Sequence, residues 1–240
     1  MQRYIVDNKN LEIDIDVKRQ IINVMRMSVG ELFQIVYDKK VYTCEICEIS
    51  KKDVEYKVIF EEEYNIEKDY KVIIACSIIK EQKMDYLLQK ATELGVDEII
   101  PFVSERTVVN IDTKKDKKID RWKKIIKEAC EQSHRVDMPK IRDIIRFKDI
   151  INVESDLKIF CNTTEMSKNI KKVLQDSKKY GNILIVVGPE GGFSNNEVDF
   201  LSNNAFISTT LGSYILRAET VPLFVLSVIN YEFMRWIYVI

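Results

Sequence analysis

Residues 182–198, NILIVVGPEGGFSNNEV, constrain the fold of this chain more than any other stretch. The apolar and partly β-branched run 183–187 is short enough to be a strand buried on both faces. The GPEGG segment that follows lets the backbone approach a ligand without a Cβ in the way. Ser194 can cap a helix over 195–201, with Glu197 three residues on as in a capping box. The stretch predicts a ligand-binding edge of an α/β sheet, and a tight turn that needs glycine is the alternative.

A second stretch, LGSYILRAET at 211–220, follows a short predicted strand at 206–208 and again leads into a helix. Ligands of open α/β sheets bind outside the carboxyl ends of the strands. We therefore expect the two loops to lie side by side at the carboxyl ends of neighbouring strands.

The composition is that of a soluble globular protein. The chain has 240 residues, of which 46% are hydrophobic and 31% charged, enough for one large or two modest domains. No signal peptide is visible at its start, and the longest apolar run, 221–229, is too short to span a bilayer. Five scattered cysteines indicate a reducing compartment rather than a disulfide framework. We expect a cytoplasmic protein with no membrane partner.

Charge is distributed unevenly although the net charge is only -1. Residues 1–70 carry 11 Lys and Arg against 15 Asp and Glu, whereas residues 114–148 carry 13 against 6. Such a basic segment can track nucleic-acid phosphates, and a solvated lysine-rich helix face explains it equally well.

The hydrophobic period changes near residue 70. Before it, β-rich runs at 3–7, 20–25, 32–37, 41–49 and 54–60 predict a small antiparallel barrel, followed by an acidic connection at 61–69. After it, predicted strands at 72–79, 98–103, 157–161 and 183–187 alternate with predicted helices at 84–94, 119–131 and 166–177. This alternation indicates a mostly parallel sheet with helices on both faces.

The predicted C-terminal helix, 219–236, is apolar around much of its circumference, and its apolar side chains include Leu223, Phe233 and Trp236. A helix of this kind has more than one surface to cover. We take a homodimer interface as the hypothesis.

The pairing of GPEGGF at 188–193 with LGSYILRAET at 211–220 resembles the 16S rRNA (uracil-N3)-methyltransferase family, which belongs to the SPOUT class of trefoil-knotted RNA methyltransferases. The resemblance extends to MQRY at 1–4, INVMRMSVG at 22–30, KATELGV at 90–96 and EACEQSHR at 128–135. It implies an α/β chain (α+β overall) with an N-terminal PUA-like RNA-binding β-barrel at 1–70. A knotted, mostly parallel α/β SPOUT domain would follow at 71–240 and act as a homodimer.

The activity that the resemblance implies is methylation of uridine N3 in 16S rRNA of the small ribosomal subunit, with S-adenosylmethionine as cofactor. Two alternatives stay open: a related knotted methyltransferase acting on another rRNA or tRNA nucleotide, and an idle RNA-binding module. A nucleotide-binding phosphate loop is disfavoured because the Gly-Lys-Ser/Thr ending is missing from the glycine loop.

The resemblance also implies roles for individual residues. The cofactor would be bound by three loops, through Asn162, Thr163, Gly188, Pro189, Glu190, Gly191, Gly192, Leu211, Gly212, Ile215, Leu216, Arg217 and Thr220. A positive charge near the uracil oxygens favours the deprotonated ring, and Arg217 is the candidate for this role or for binding a flanking phosphate. Glu219 would orient Arg217 or act as a base, unless the two form a purely structural ion pair. Contacts to the RNA backbone are expected from Arg26, Arg106, Arg121, Lys124 and Arg135.

Two further patterns carry less weight. His134, the only histidine, adjoins Arg135 at a basic helix end, which suits a phosphate or interface contact better than catalysis. Cys44 and Cys47 form a single CxxC without a second pair, and in a strand they would point to opposite faces. We expect no metal site.

Overall fold

The structure, a computed structural model, describes residues 1–63, 68–108, 115–176 and 181–233. Its strands are β1 (Arg3–Ile5), β2 (Leu32–Tyr37), β3 (Lys40–Ile49), β4 (Val54–Glu63), β5 (Lys71–Ser77), β6 (Glu98–Val103), β7 (Lys140–Ile141), β8 (Ile145–Arg146), β9 (Leu157–Cys161), β10 (Asn182–Val187) and β11 (Ile207–Thr209). Its α-helices are α1 (Ile15–Arg19), α2 (Glu81–Glu93), α3 (Lys115–Gln132), α4 (Ile170–Asp176), α5 (Asn195–Asn203) and α6 (Val221–Phe233). A π-helical segment (Gln20–Met25) continues α1, and a 3₁₀ segment (Phe147–Asn152) follows β8.

The chain forms two compact units. The first comprises Met1–Glu67 and Lys127–Met138, and the second comprises Lys68–Ile126 and Pro139–Ile240. The C-terminal end of α3 therefore belongs to the first unit.

The first unit contains a four-stranded sheet in the order β1-β2-β3-β4. Strands β2, β3 and β4 are antiparallel, as expected, whereas β1 pairs parallel with β2. The β2–β3 hairpin turns at Asp38 and Lys39, both at positive φ (47° and 63°), which matches the twist of the flanking strands. One face of the sheet covers an apolar core that includes Tyr4, Phe33, Ile35, Cys44 and Ile46.

The strand predicted at 20–25 is wrong, because this segment is helical. Asp14 caps α1 by accepting a hydrogen bond from the Val17 amide at 2.8 Å. Ile13, Val17 and Ile21 are buried at four-residue spacing, so the helical face supplies the apolar contacts that a strand was expected to supply. The segment ends at Arg26, which takes the left-handed conformation with φ 53°.

The second unit contains a parallel sheet in the order β11-β9-β10-β5-β6-β7, with β8 also paired to β6. Strands β5 and β10 lie at its centre, and all but their first residues are buried, as the continuous apolar runs predict. The mixed α/β fold class is confirmed.

Strand order differs from the expectation for the two loops. The strands that precede them, β10 and β11, are not neighbours, because β9 pairs with both and lies between them. Sequence proximity alone does not fix the order of parallel strands, since each crossover can pass an existing strand.

The helix predicted over 166–177 begins only at Ile170. Glu165 accepts hydrogen bonds from the Ser167 and Lys168 amides, which fixes a turn at this point. Thr210 then pairs with Lys168 and Ile170 through backbone hydrogen bonds of 2.8 and 3.1 Å, which keeps the chain extended there. The last predicted residue, 177, lies outside the described residues.

The predicted C-terminal helix corresponds to α6, with Pro222 in its first turn, where a missing amide proton costs little. Helix α6 begins two residues later than predicted, and its predicted end at 236 lies outside the described residues. No helix in the described ranges is long and apolar enough to cross a membrane.

Candidate active site

Loops at the carboxyl ends of β9, β10 and β11 line two adjoining cavities in the second unit. The first cavity, about 470 Å³, is lined mainly by residues after β9 and β11. The second, about 430 Å³, is lined mainly by the glycine loop after β10 and by residues 215–218. Six residues line both cavities and form their common wall: Cys161, Asn162, Thr163, Ile215, Leu216 and Val221.

Nearly all residues expected to bind the cofactor lie on these walls. The second cavity is lined by Asn162, Thr163, Gly188, Pro189, Glu190, Gly191, Gly192, Ile215, Leu216 and Arg217, and the first additionally by Leu211 and Gly212. Thr220 lines neither cavity, and its amide and carbonyl close the turn that starts α6. The loops that the sequence singles out therefore meet at one site.

The glycine loop is held by its own turn and by an aromatic anchor. The Gly192 amide donates to the Pro189 carbonyl at 2.9 Å, and Gly192 has φ 68°, which favours glycine. The ring of Phe193 packs against Phe147 and Phe160, each with ring centroids 6.1 Å apart. The loop thereby presents its backbone to the cavity while Phe193 fixes it to the core.

Glu197 does more than cap α5. The predicted capping box with Ser194 is present, and the Glu197 side chain is buried. Its carboxylate also accepts hydrogen bonds from the Ser104 hydroxyl and the Glu105 amide, both at 2.9 Å. The next residue, Arg106, donates from Nη1 to the Gly191 carbonyl at 2.8 Å. Glu197 thus connects the loop after β6 to the glycine loop, which the capping pattern alone does not reveal.

Lys83 joins the second cavity from helix α2. Its Nζ lies 3.2 Å from Glu190 Oε1 and 3.6 Å from Glu219 Oε2. No sequence pattern indicates this role for Lys83, since a lysine in the first turn of an amphipathic helix is typical of a solvated face.

Arg217 and Glu219 do not pair with each other. Arg217 is exposed, lines the second cavity and forms no ion pair within the described part of the chain. Glu219 is buried, lines neither cavity, and has Lys83 as its ionic partner. The expectation that Glu219 orients Arg217 is therefore wrong, and so is the alternative of a structural Arg217–Glu219 ion pair.

The candidate RNA contacts differ in how available their charges are. Arg26 and Lys124 are exposed. Arg121 forms ion pairs with Glu81 and Asp85, and Arg135 is largely buried and bonded to Asp137.

Arg106 is exposed, but its guanidinium is partly committed to the glycine loop. Arg26 and Lys124 are thus more accessible to RNA phosphates than the other three candidates.

The remaining candidates show no sign of a reactive or metal site. Partial desolvation and the nearby charge of Arg3 lower the pKa of His134, which takes a left-handed φ of 58° on the surface. Burial raises the pKa of the Cys44 thiol to about 11, while Cys47 is exposed. Among residues that the structure describes, no group of His, Cys, Asp or Glu side chains is placed to hold a metal ion.

The two cavities fit a nucleoside cofactor that carries an adenine ring. Ile215, 82% exposed, and Leu216 stand on the common wall, where they can cover the face of a ring. Gly212, with φ 127° and no atom near an ideal Cβ, leaves space beside the first cavity, where a planar ring can approach the backbone.

The matching family models define the class of protein. A model of an RNA methyltransferase domain matches residues 66–230, and a model of an RNA methyltransferase PUA domain matches residues 21–59. The fold and the site are therefore those of an RNA methyltransferase that carries a PUA domain.

Full-length relatives narrow the class. Ribosomal RNA small subunit methyltransferase E of Bacillus subtilis (strain 168) is 36% identical and covers 97% of each chain. That of Mesomycoplasma hyopneumoniae (strain 232) is 31% identical over 95% of this chain and 98% of the relative. The chain belongs to the ribosomal RNA small subunit methyltransferase E family, which confirms the resemblance seen in the sequence.

Solved structures agree with this membership. A methyltransferase of Legionella pneumophila in complex with bound S-adenosylmethionine has a TM-score of 0.89 at 30% identity, covering 97% of this chain and 98% of that one. Ribosomal RNA small subunit methyltransferase E of Neisseria gonorrhoeae, bound to S-adenosyl methionine, has a TM-score of 0.84 at 28% identity with the same coverage.

Proposed function

We propose that this chain transfers the methyl group of S-adenosylmethionine to N3 of a uridine in 16S rRNA of the small ribosomal subunit. The observation that carries the proposal is the meeting of the glycine loop and the 211–217 loop around two cavities with a common wall. These are the same residues that carry the family resemblance. Membership in the ribosomal RNA small subunit methyltransferase E family supports the substrate class.

The cofactor would lie against the common wall, between Ile215 and Leu216 on one side and the backbone of Gly188, Gly191 and Gly192 on the other. When bound, S-adenosylmethionine supplies an electrophilic methyl group. The protein then has to position the base, exclude water and favour loss of the N3 proton.

We assign to Arg217 the interaction with the uracil ring of the substrate. Uracil N3 is protonated at neutral pH and becomes nucleophilic only when that proton leaves. A fixed positive charge near the ring oxygens favours the deprotonated form. Arg217 faces the second cavity without an ionic partner in the described ranges, so its charge is available to the base.

The RNA would be held outside these cavities. Arg26 in the unit with the PUA match and Lys124 on α3 are exposed cations that can contact phosphates. The target base has to leave its stack to reach the methyl group. We further propose a cytoplasmic homodimer, the state that suits the family resemblance and the apolar C-terminal helix.

The test is mass spectrometry of nucleosides from small-subunit rRNA, comparing cells with the gene, without it, and complemented. We expect 3-methyluridine to disappear on deletion and to return with the wild-type chain but not with Arg217→Ala. Arg146→Ala serves as the matched control, because Arg146 is exposed and pairs only with Asp149 across one helical turn in the described structure. This control should restore 3-methyluridine fully.

Other outcomes decide between the alternatives. Loss of a different modified nucleoside would favour a related methyltransferase acting on another nucleotide. If deletion changes no nucleoside in rRNA or tRNA, the chain is an RNA-binding module without this activity.

A further inference from the structure

Lys83 occupies an unusual position on the wall of the second cavity. It stands in the first turn of α2, and its side chain is about one-third exposed. Its ammonium lies 3.2 Å from Glu190 Oε1, a residue of the glycine loop, and 3.6 Å from Glu219 Oε2, which follows the 211–217 loop. One cation therefore connects three elements of the site.

Glu219 depends on this cation. Its Oε2 atom is buried and has no hydrogen-bond partner, and the 3.6 Å contact to Lys83 is too long to be a hydrogen bond. A buried carboxylate without compensation is costly, so the electrostatic attraction to Lys83 holds the ammonium towards the inside of the site.

The ammonium retains donors for a substrate. A lysine has three N–H donors, and Glu190 accepts one of them. The other charged side chains that face it are Glu219, Arg106 and Arg217, and Cys161 is the further titratable group on this wall. Arg106 uses one of its five N–H donors on the Gly191 carbonyl, so Lys83, Arg106 and Arg217 all have donors to spare, and Lys83 is the one that two carboxylates hold in place.

The positive charges are confined to one of the two cavities. Among the described residues, Lys83, Arg106 and Arg217 line the second cavity, whereas no lysine or arginine lines the first, whose charged lining residue is the carboxylate Glu165. A base that acquires negative charge is therefore stabilised in the second cavity rather than in the first.

We propose that Lys83, held by Glu190 and Glu219, stabilises the uracil ring as it loses the N3 proton. This inference rests on the proposed function. In the step, the N3–H bond breaks, the proton leaves to water, and the electron pair stays on the ring, shared between N3 and the carbonyl oxygens. Lys83 donates to one carbonyl oxygen and Glu219 acts as its positioning residue.

The experiment compares Lys83→Met with Lys90→Met. Lys90 is on the same helix and pairs with Glu93 one turn away, so its replacement removes an equal charge outside the cavities. Methyl transfer to small-subunit rRNA is measured from neutral to alkaline pH, and cofactor affinity by calorimetry. We expect Lys83→Met to lose about 100-fold in kcat at neutral pH, the effect of removing one charge-stabilising donor. The deficit should shrink as pH rises, because the base then loses its proton unaided.

Control variants separate this role from a structural one. Lys83→Met leaves the Glu219 carboxylate without its cation, so the double variant Lys83→Met/Glu219→Gln removes that electrostatic cost. If Lys83 acts on the base, the double variant regains thermal stability but not the rate, and Lys83→Arg retains part of the rate. Cofactor affinity should stay within about twofold in all of them, since the assigned interaction is with the base.

Three results would overturn the inference: a rate deficit equal at every pH, recovery of the rate in the double variant, or weaker cofactor binding with unchanged kcat. In each case wild-type 3-methyluridine formation would still support the proposed function. Absence of 3-methyluridine formation by the wild type would instead remove the proposed function and this inference with it.

Discussion

Replacing Glu197 by glutamine should destabilise the second unit far more than a change of one atom suggests. The carboxylate accepts from the Glu105 amide through Oε1 and from the Ser194 amide through Oε2, both at 2.9 Å, and from the Ser104 hydroxyl. Glutamine has only one acceptor oxygen. Whichever way its amide is turned, its NH₂ group meets one of the two backbone amides, donor against donor.

The magnitude follows from these contacts. One buried N–H without an acceptor costs about 1–3 kcal/mol. The remaining hydrogen bonds change from charge-assisted to neutral, which loses about 1 kcal/mol each. Two such hydrogen bonds remain, so together these terms give a decrease of about 3–5 kcal/mol in the free energy of unfolding. Part of the effect should appear locally, because the Ser104–Glu105 segment then no longer holds Arg106 against the Gly191 carbonyl.

The assay is urea unfolding together with amide hydrogen exchange at Glu105 and Ser194. Site-resolved exchange is needed because the two units can unfold separately, which a single transition would conceal. Asp199→Asn is the control, since it neutralises an exposed carboxylate on the same helix and should change stability by less than about 0.5 kcal/mol. The prediction is refuted if Glu197→Gln changes the free energy of unfolding by less than about 0.5 kcal/mol and both amides stay protected from exchange.

Two further predictions concern the walls of the cavities. An ideal Cβ on Gly191 lies 3.6 Å from Arg106, which is an ordinary contact, so Gly191→Ala should keep its affinity for the cofactor. The larger, branched side chain of Gly191→Val should lower the affinity measured by calorimetry at least about tenfold. Equal affinity in both variants would contradict the placement of this loop against the cofactor. Hydrogen bonds from the Ser167 hydroxyl and amide lower the pKa of Glu165 from 4.5 to about 2. The stability that they contribute is therefore complete above about pH 4.5 and is lost as the pH falls through about 2. Ser167→Ala should raise this pKa in an NMR titration, and an unchanged value would show that the hydroxyl plays no part.

Several features were predictable because they depend on neighbouring residues. The buried runs of β5 and β10, the Ser194 capping box and the end of α2 before Gly95 follow from apolar period and backbone preference, and the structure confirms them. The two loops carry enough identity to indicate the family, which the comparisons confirm. The trefoil knot and the homodimer stay predictions.

Errors arose where a local preference competed with tertiary contacts. The segment 20–25 has β-branched and apolar residues, yet Ile21 is buried on a helical face together with Val17. Residues 166–169 match a helical pattern, but the turn fixed by Glu165 and the backbone pairing of 168–170 with Thr210 keep them out of the helix. In both cases packing and hydrogen bonding outweighed propensity, whose scale is less than about 1 kcal/mol per residue.

By itself, the sequence determined the class of the fold, the glycine loop and the identity of most cavity residues, because these depend on residues close together in the chain. Only the tertiary structure decided that β9 lies between β10 and β11, that Lys83 meets Glu190 across 107 residues, and that Glu197 meets Ser104 across 93. Contacts of this range depend on strand order and on the path of each crossover. No local pattern encodes either of these, so the electrostatic connections of the site become visible only in the folded chain.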